Sequence, residues 1–181
     1  AVRAATEPLA DLAIEKTQEF LSKSGKTEAT GKEDFKPRST EGALKVLPKA
    51  NLCVISVAGK YAANTAMNAL EHGLNVMLFS DNVSVASEIE LKKYAQARDL
   101  IVMGPDCGTA IINGVPLAFA NAVNRGDIGA VAAAGTGLQE VTTLISNAGA
   151  GISQAIGTGG RDVKAEVGGI AFLQGLDALI E

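Results

Sequence analysis

Residues 51–106 read NLCVISVAGKYAANTAMNALEHGLNVMLFSDNVSVASEIELKKYAQARDLIVMGPD. Three apolar runs of strand length stand out in this segment, at 52–57, 76–79 and 100–103. Continuous apolar runs this short are typical of parallel strands that are buried on both faces of a sheet.

Two helical patterns connect these runs, one over 61–70 and one that begins at Ser84 and continues through Tyr94. Gly73 follows the first pattern at the position where a glycine often ends a helix in the left-handed conformation. The Ser84 hydroxyl can accept a hydrogen bond from the first turn of the second helix. Two consecutive β-α units with crossovers of about 15 residues predict a right-handed parallel sheet, so we expect an α/β fold.

Glycine dominates the second half of the chain, since 15 of the 20 glycines lie from Gly104 onward. Strand patterns at 128–132 and 152–156 alternate there with helical patterns at 138–147 and 167–180. This alternation predicts a second β-α-β unit.

The N-terminal region is polar and holds no strand pattern. Its apolar residues between Leu9 and Leu21 fall on one helical stripe, 22–38 is polar and aperiodic, and a short helix is expected from Thr40 to Pro48. With a seam at 121–127, we predict three parts: an N-terminal helix and linker (1–48), a first α/β domain (49–125) and the first part of a second α/β domain (126–181).

The composition excludes several classes of protein. With 47% hydrophobic and 20% charged residues among 181, the chain is expected to be globular. A net charge of −4 argues against a nucleic-acid-binding face, and Cys53 and Cys107 are too few for a disulfide framework. No apolar run reaches the roughly 18 residues that cross a bilayer. We expect a cytoplasmic protein and, because an initiator Met and a signal peptide are lacking, part of a longer one.

The stretch Ala132-Ala133-Ala134-Gly135-Thr136-Gly137-Leu138 joins a strand pattern to a helical pattern through small residues alone. Backbone N–H groups at such a helix N-terminus can point at an anion with no side chain in the way. Thr136 adds a hydroxyl donor. We predict an anion site here, and the alternative is a tight turn without a ligand.

The stretch Gly157-Thr158-Gly159-Gly160-Arg161-Asp162 follows the next strand pattern and again leads to a helix. Its N–H groups and the Arg161 guanidinium could hold a phosphate or carboxylate, and the alternative is a turn with a surface Arg161–Asp162 ion pair. Loops at the carboxyl ends of adjacent parallel strands meet in one crevice. We therefore expect both glycine-rich loops to serve one ligand.

A third loop, Gly104-Pro105-Asp106-Cys107-Gly108-Thr109, also ends a strand pattern. No base accompanies Cys107 in sequence, so a structural turn with a half-buried thiol is favoured over a nucleophile. Asp106 remains a candidate carboxylate. No Gly-x-Gly-x-x-Gly fingerprint follows a strand, and the lone His72 supports neither a catalytic triad nor a metal site.

In order and spacing, these motifs resemble the α-subunit side of the succinyl-CoA synthetase superfamily of NDP-forming acyl-CoA synthetases, and most closely its FdrA-type branch. The resemblance is carried by 79–83, 103–109, 134–140 and 157–162. It implies a Rossmann-like CoA-binding domain over 49–125, followed by the start of a flavodoxin-like ligase domain.

The resemblance also implies roles for individual residues. CoA is expected along the loops after the first two strands, at Val57, Ala58, Gly59, Lys60, Tyr61, Ser80, Asp81 and Asn82. The catalytic helix N-terminus, which holds the phosphate of a phosphohistidine, matches Gly135, Thr136 and Gly137, and the histidine itself would lie downstream of Glu181. We place the substrate at Asp106, Cys107, Gly159, Gly160 and Arg161.

Two departures from the family pattern concern charge. The family's Ser-Arg-Ser is replaced by Ala132-Ala133-Ala134, which removes a cation, and Asp106 replaces an asparagine. Both changes weaken the binding of a dianionic phosphate by Coulomb repulsion.

Three functions are therefore left open. The first is acyl transfer to CoA through an activated phosphate, with ATP, ADP or phosphate in the full-length assembly. The second is carbamoyl transfer as a subunit in purine or allantoin catabolism, and the third is a non-catalytic CoA- or nucleotide-binding subunit. We expect a small acyl substrate and either a homo-oligomer or a β-like partner subunit.

Overall fold

The computed structural model describes residues 6–24 and 37–180. The chain from Pro37 onward clusters into one unit, and the first helix belongs to a separate unit. The predicted linker at 22–38 lies mostly outside the described residues. The elements follow one another in this order: α1 (Glu7–Ser24), α2 (Thr40–Val46), β1 (Leu52–Ile55), α3 (Gly59–Glu71), β2 (Asn75–Leu78), α4 (Val85–Gln96), β3 (Val102–Met103), β4 (Thr109–Ile112), β5 (Val115–Ala118), β6 (Ile128–Ala132), α5 (Gly135–Asn147), β7 (Ile152–Gly157) and α6 (Ile170–Ile180).

Strands β1, β2 and β3 form a parallel sheet in that order, which we call the first sheet. Side chains alternate between the faces of a sheet, and Ile55, Val76, Leu78 and Val102 point to the face that α3 and α4 cover. Ala66 of α3 is completely buried against this face, because small side chains let a helix approach a sheet closely. The predicted parallel sheet with two β-α units is thus confirmed.

The second sheet is mixed, with the strand order β5-β4-β7-β6. Strands β6 and β7 are parallel, whereas β4 runs antiparallel to β7 and pairs with β5 in a hairpin. The hairpin turns at Asn113-Gly114, and both residues have positive φ. No strand is predicted here from the sequence pattern. The hairpin brings 109–118 into the second sheet, ahead of the predicted seam at 121–127, and the division into domains stays a prediction.

The two sheets pack against each other through small and flexible side chains. Met77 and Met103 on the second face of the first sheet contact Ala110 and Ile156 of the second sheet, and all four are buried. The opposite face of the second sheet is covered by α5, whose Leu138 is buried there. Helix α6 packs on β6 and against α4.

The predicted helices all occur within the described residues. Helix α2 begins at Thr40 and α4 follows the Ser84 cap as predicted, whereas α5 and α6 begin at other residues than their sequence patterns. Helix α5 begins at Gly135 rather than at Leu138, so the predicted anion loop is itself the first helical turn. Helix α6 begins at Ile170 rather than at Val167, since Gly168 and Gly169 adopt positive φ just before it. None of the helices in 6–24 and 37–180 is long and apolar enough to span a membrane.

Candidate functional site

A cavity of about 630 Å³ opens where strands of both sheets end. Small-molecule sites have volumes of this order, and open α/β sheets bind ligands beyond the carboxyl ends of their strands. The predicted convergence of two glycine-rich loops is confirmed, because Gly135 and Gly160 both line this cavity. The lining residues are Ser56, Val57, Phe79, Ser80, Asp81, Asp106, Gly108, Thr109, Phe119, Ala133, Ala134, Gly135, Thr136, Gln139 and Gly160.

Helix α5 begins at this cavity without a side-chain cap. Gly135 and Thr136 line the cavity, and the N-cap residue Ala134 makes no side-chain hydrogen bond. The first turn holds no acidic side chain. The first N–H groups of a helix have no partner within the helix and carry part of the positive end of its dipole. Helix α5 can therefore donate N–H groups to a negatively charged atom, and Gly137, which does not line the cavity, lies in the same turn.

Gln139, Phe79 and Phe119 complete one wall. Gln139 and Phe79 lie in motifs that carry the family resemblance, but none of the three is a predicted site residue. Gln139 Nε2 donates to Thr109 Oγ1 at 3.0 Å and to the Phe119 carbonyl at 2.8 Å, which ties α5 to the hairpin. The rings of Phe79 and Phe119 meet edge to face with 4.8 Å between their centroids. The signal that could have revealed this wall is Asn113-Gly114, a strong predictor of a two-residue hairpin turn.

The predicted CoA loops reach the cavity only in part. Val57, Ser80 and Asp81 line it, and the Val57 N–H donates to Ser80 Oγ at 3.0 Å, which joins the loops after β1 and β2. Gly59 lies against the Asp81 carbonyl, where a Cβ atom would collide, so α3 begins directly beneath the second loop. Five predicted residues do not line the cavity: Ala58, Gly59, Lys60, Tyr61 and Asn82.

Asp106 and Cys107 are adjacent in sequence but face different surroundings. Asp106 is exposed and lines the cavity. Cys107 is buried, and its Sγ donates to the Gly157 carbonyl at 3.0 Å. Burial raises the pKa of the Cys107 thiol, which disfavours the reactive thiolate. The structure therefore does not place Cys107 at the substrate, because its sulfur packs between β4 and β7.

Arg161 does not line the cavity either, and its expected role as a clamp for a substrate carboxylate stays a prediction. Its Nε lies 3.0 Å from Glu88 Oε2, and its Nη2 donates to the Val83 carbonyl at 2.9 Å. Two of the three guanidinium nitrogens thus contact groups of the protein itself. In the same loop Gly160 lines the cavity, whereas Gly159 is buried against the Pro105 carbonyl.

The charges of the cavity differ from those of an ordinary phosphate site. Asp81 and Asp106 contribute two carboxylates, and none of the described residues that line the cavity is a lysine, arginine or histidine. The α5 N-terminus is thus the main positive contribution to the lining. A single carbonyl or acyl oxygen suits this field better than a dianionic phosphate does.

No protein-family model matches this chain. A search by sequence finds relatives that are longer than this chain. The chain is 51% identical over 150 residues to the uncharacterized protein YahF of Escherichia coli K12, a match that covers 83% of this chain and 29% of YahF. It is 26% identical over 138 residues to the α subunit of an ADP-forming succinate–CoA ligase from Staphylococcus epidermidis, covering 73% of this chain and 44% of the subunit. The chain spans less than half the length of these relatives.

Solved structures with a similar fold include CoA enzymes. ATP citrate lyase from Methanothrix soehngenii, solved with citrate and CoA, matches with a TM-score of 0.62 at 23% identity, over 67% of this chain and 22% of that chain. Acetyl-CoA synthetase 1 from Ca. Korarchaeum cryptofilum matches with a TM-score of 0.51 at 17% identity, over 62% of this chain and 26% of that chain. At these identities the likeness concerns the fold, and the predicted α/β fold class is confirmed.

The comparisons support a relationship between this chain and the succinyl-CoA synthetase superfamily. The support comes from the α-subunit match in sequence together with the CoA-enzyme matches in fold. Membership of the FdrA-type branch and a flavodoxin-like second domain stay predictions.

Proposed function

We propose that this chain supplies the CoA-side and acyl-side walls of an FdrA-type enzyme that resembles succinyl-CoA synthetase. The observation that carries the proposal is the uncapped N-terminus of α5, which opens into the same cavity as the loops after β1 and β2. Backbone N–H groups aimed at the place where negative charge develops lower the barrier to acyl transfer. Gly135 and Thr136 line the cavity where they can do this.

The lining fits one part of CoA better than another. Val57 and Ser80 offer neutral groups that suit the uncharged arm of CoA, whereas Asp81 and Asp106 repel its phosphates. We therefore place the thiol end of CoA inside the cavity and its phosphates outside. When bound, CoA supplies the thiol that accepts the acyl group. The α5 amides stabilise the charge on the acyl oxygen, and Phe79 and Phe119 exclude water from one side.

The test is a ligand titration of the 181-residue chain, followed by thermal unfolding, with a matched pair of variants. Gly135→Pro removes the N–H at the first position of α5, where proline is tolerated, whereas Gly135→Ala keeps it, and both place a Cβ about 3.3 Å from Thr109 Oγ1. A ligand at about a hundred times its dissociation constant stabilises the wild type by about 2.7 kcal/mol. We expect CoA and acyl-CoA to stabilise the wild type and Gly135→Ala, with acyl-CoA the stronger of the two, and Gly135→Pro to lose most of the additional effect of the acyl group. Equal responses of both variants would contradict a role for the α5 amides.

A second candidate is carbamoyl transfer without CoA, which the charges of the cavity favour. A carbamoyl group carries an amide NH₂, and Asp81 or Asp106 could accept a hydrogen bond from it. The same titration separates the candidates. Stabilisation by carbamoyl phosphate with none by CoA supports carbamoyl transfer, whereas stabilisation by CoA supports the acyl-CoA synthetase-like function.

A further inference from the structure

A cluster of four charged side chains, three of them buried, lies beside the cavity and has no part in the function proposed above. Lys92 of α4 is completely buried, and its Nζ donates to Glu88 Oε1 at 2.8 Å, to Asp162 Oδ1 at 2.8 Å and to the Thr158 carbonyl at 3.0 Å. Arg161 contacts the other oxygen of Glu88 at 3.0 Å. The two cations balance the two carboxylates, so the cluster adds no net formal charge beside the cavity.

Burying such a cluster in a protein core costs free energy. Removing ions from water is unfavourable unless they are paired and hydrogen-bonded, and apolar side chains of similar volume often stabilise a protein as well or better. The cluster instead holds neighbouring segments of the chain in fixed positions. Lys92 donates to three acceptors, and two of them, the Thr158 carbonyl and the Asp162 carboxylate, belong to the loop after β7. Asp162 also accepts hydrogen bonds from the N–H groups of Ala171 and Phe172 at the start of α6. Lys92 thus fixes this loop against α4.

Arg161 extends the same cluster to the opposite wall of the cavity. Its Nη2 donates to the carbonyl of Val83, at the end of the loop that carries Ser80 and Asp81. Gly160, the residue before Arg161, lines the cavity from the side of the second sheet. One partly exposed side chain therefore connects the loops that form two walls.

We propose that Arg161 is a positioning residue that latches the loop after β2 to the loop after β7 and so sets the width of the cavity, with Lys92 holding the latch in place. The effect on a ligand rests on the proposed function. The latch itself is a property of the two loops and can be tested without any ligand.

The first experiment is hydrogen exchange on the 181-residue chain, comparing Arg161→Gln with Lys164→Gln, which removes a cation from an exposed position in the same segment. The N–H groups of Val57 and Asp106 report on the loop after β2, because they donate to Ser80 Oγ and to the Ser80 carbonyl. Their exchange should accelerate about tenfold in Arg161→Gln, the scale of one lost hydrogen bond to a charged group, and stay unchanged in Lys164→Gln.

An internal control separates the latch from a general loss of stability. The N–H of Phe79 donates to the Ile55 carbonyl within the first sheet and should keep its wild-type exchange rate in Arg161→Gln. Unchanged exchange at Val57 and Asp106 would overturn the latch. Equal acceleration at Phe79 would also overturn it, since Arg161 would then stabilise the whole unit rather than position one loop.

The second experiment is CoA binding by calorimetry on the same variants. We expect the affinity of Arg161→Gln for CoA to fall about tenfold while Lys164→Gln binds as the wild type does. If the wild type binds CoA and Arg161→Gln binds it equally well, the cavity width does not depend on Arg161 and the proposal fails. If the wild type itself does not bind CoA, the proposed function fails, and the exchange data still decide the latch.

Discussion

At Gly157 the backbone has no room for a side chain. A Cβ there would lie 2.5 Å from both Cys107 Sγ and the Thr109 carbonyl, so the loop after β7 can meet the loop after β3 only through a glycine. Gly159 repeats the arrangement two residues later, with φ +90 and a Cβ position 2.5 Å from the Pro105 carbonyl. Gly160, by contrast, has nothing within 4 Å and faces the cavity. The glycines of one motif thus serve packing at two positions and access at the third.

The two cysteines should differ in reactivity. Burial raises the pKa of both thiols, but Cys53 is only partly buried whereas Cys107 is almost fully enclosed. We expect iodoacetamide at pH 8 to modify Cys53 at least about tenfold faster than Cys107, as measured by peptide mass spectrometry, with equal rates after denaturation in urea. Faster labelling of Cys107 would place its sulfur in the cavity and contradict the structure.

The raised pKa of Cys107 also fixes the direction of its effect on stability. The neutral thiol is favoured in the folded state, so its contribution to the free energy of unfolding is fully present below the ordinary thiol pKa. That contribution is lost as the pH rises through the higher pKa of the folded state.

Among the elements, three helix starts are capped by side chains, whereas the starts of α3 and α5 are not. Ser39 and Ser84 accept hydrogen bonds from the first turns of α2 and α4 through their hydroxyls, and Asp162 does so for α6 through its carboxylate. Helix α5 has no such cap and begins at the cavity. Its free donors are therefore available to a ligand rather than consumed by the protein.

The Ser84 cap, which the sequence predicts, can be tested in isolation from the cavity. Ser84 Oγ accepts the Ser87 N–H at 3.1 Å, and Ser84→Ala should lower the free energy of unfolding by about 1 kcal/mol. Ser84→Asp should restore most of it, because aspartate is also an N-cap residue and its charge favours a helix N-terminus. Urea unfolding measures both. An unchanged free energy of unfolding in Ser84→Ala would show that the cap does not stabilise α4.

The hairpin β4–β5 is the element that joins the site together and the one that the sequence analysis missed. The turn residues Asn113-Gly114 were available as a signal, but the flanking strands are short and β5 contains Pro116. What the local pattern could not show is that β4 pairs with β7, Ala110 with Ile156 and Ile111 with Ala155, and thereby carries Thr109 to the start of α5.

At the scale of the whole molecule, the contact between the sheets makes the unit from Pro37 onward a single structure. Met77 and Met103 of the first sheet pack on Ala110 and Ile156 of the second, and the cavity lies where strands of both sheets end. The geometry of the candidate site therefore depends on how the two sheets pack, not on either sheet alone.

Met77→Ala tests this dependence. Met77 is completely buried between the sheets, and its truncation should lower the free energy of unfolding by about 2–5 kcal/mol, with one transition seen for both sheets. Val54→Ala is the matched control, since Val54 is the partner of Met77 in the register of β1 and β2 but is 52% exposed. It should cost about 0.5 kcal/mol or less. Two separate transitions in Met77→Ala would contradict cooperative packing of the sheets.

Local sequence patterns are sufficient to predict the types and order of most elements and the loops that line the cavity. Period and run length are local properties, so the apolar runs at 52–57 and 76–79 and the small residues around Gly135 are sufficient to predict them. Which of the predicted side chains line the cavity depends instead on contacts between residues far apart in sequence. Arg161 meets Glu88 and Asp162 meets Lys92 across about 70 residues of sequence, and Cys107 meets Gly157 across 50. These long-range contacts remove Arg161 and Cys107 from the cavity, because a charge or thiol that finds buried partners is no longer free to bind a ligand.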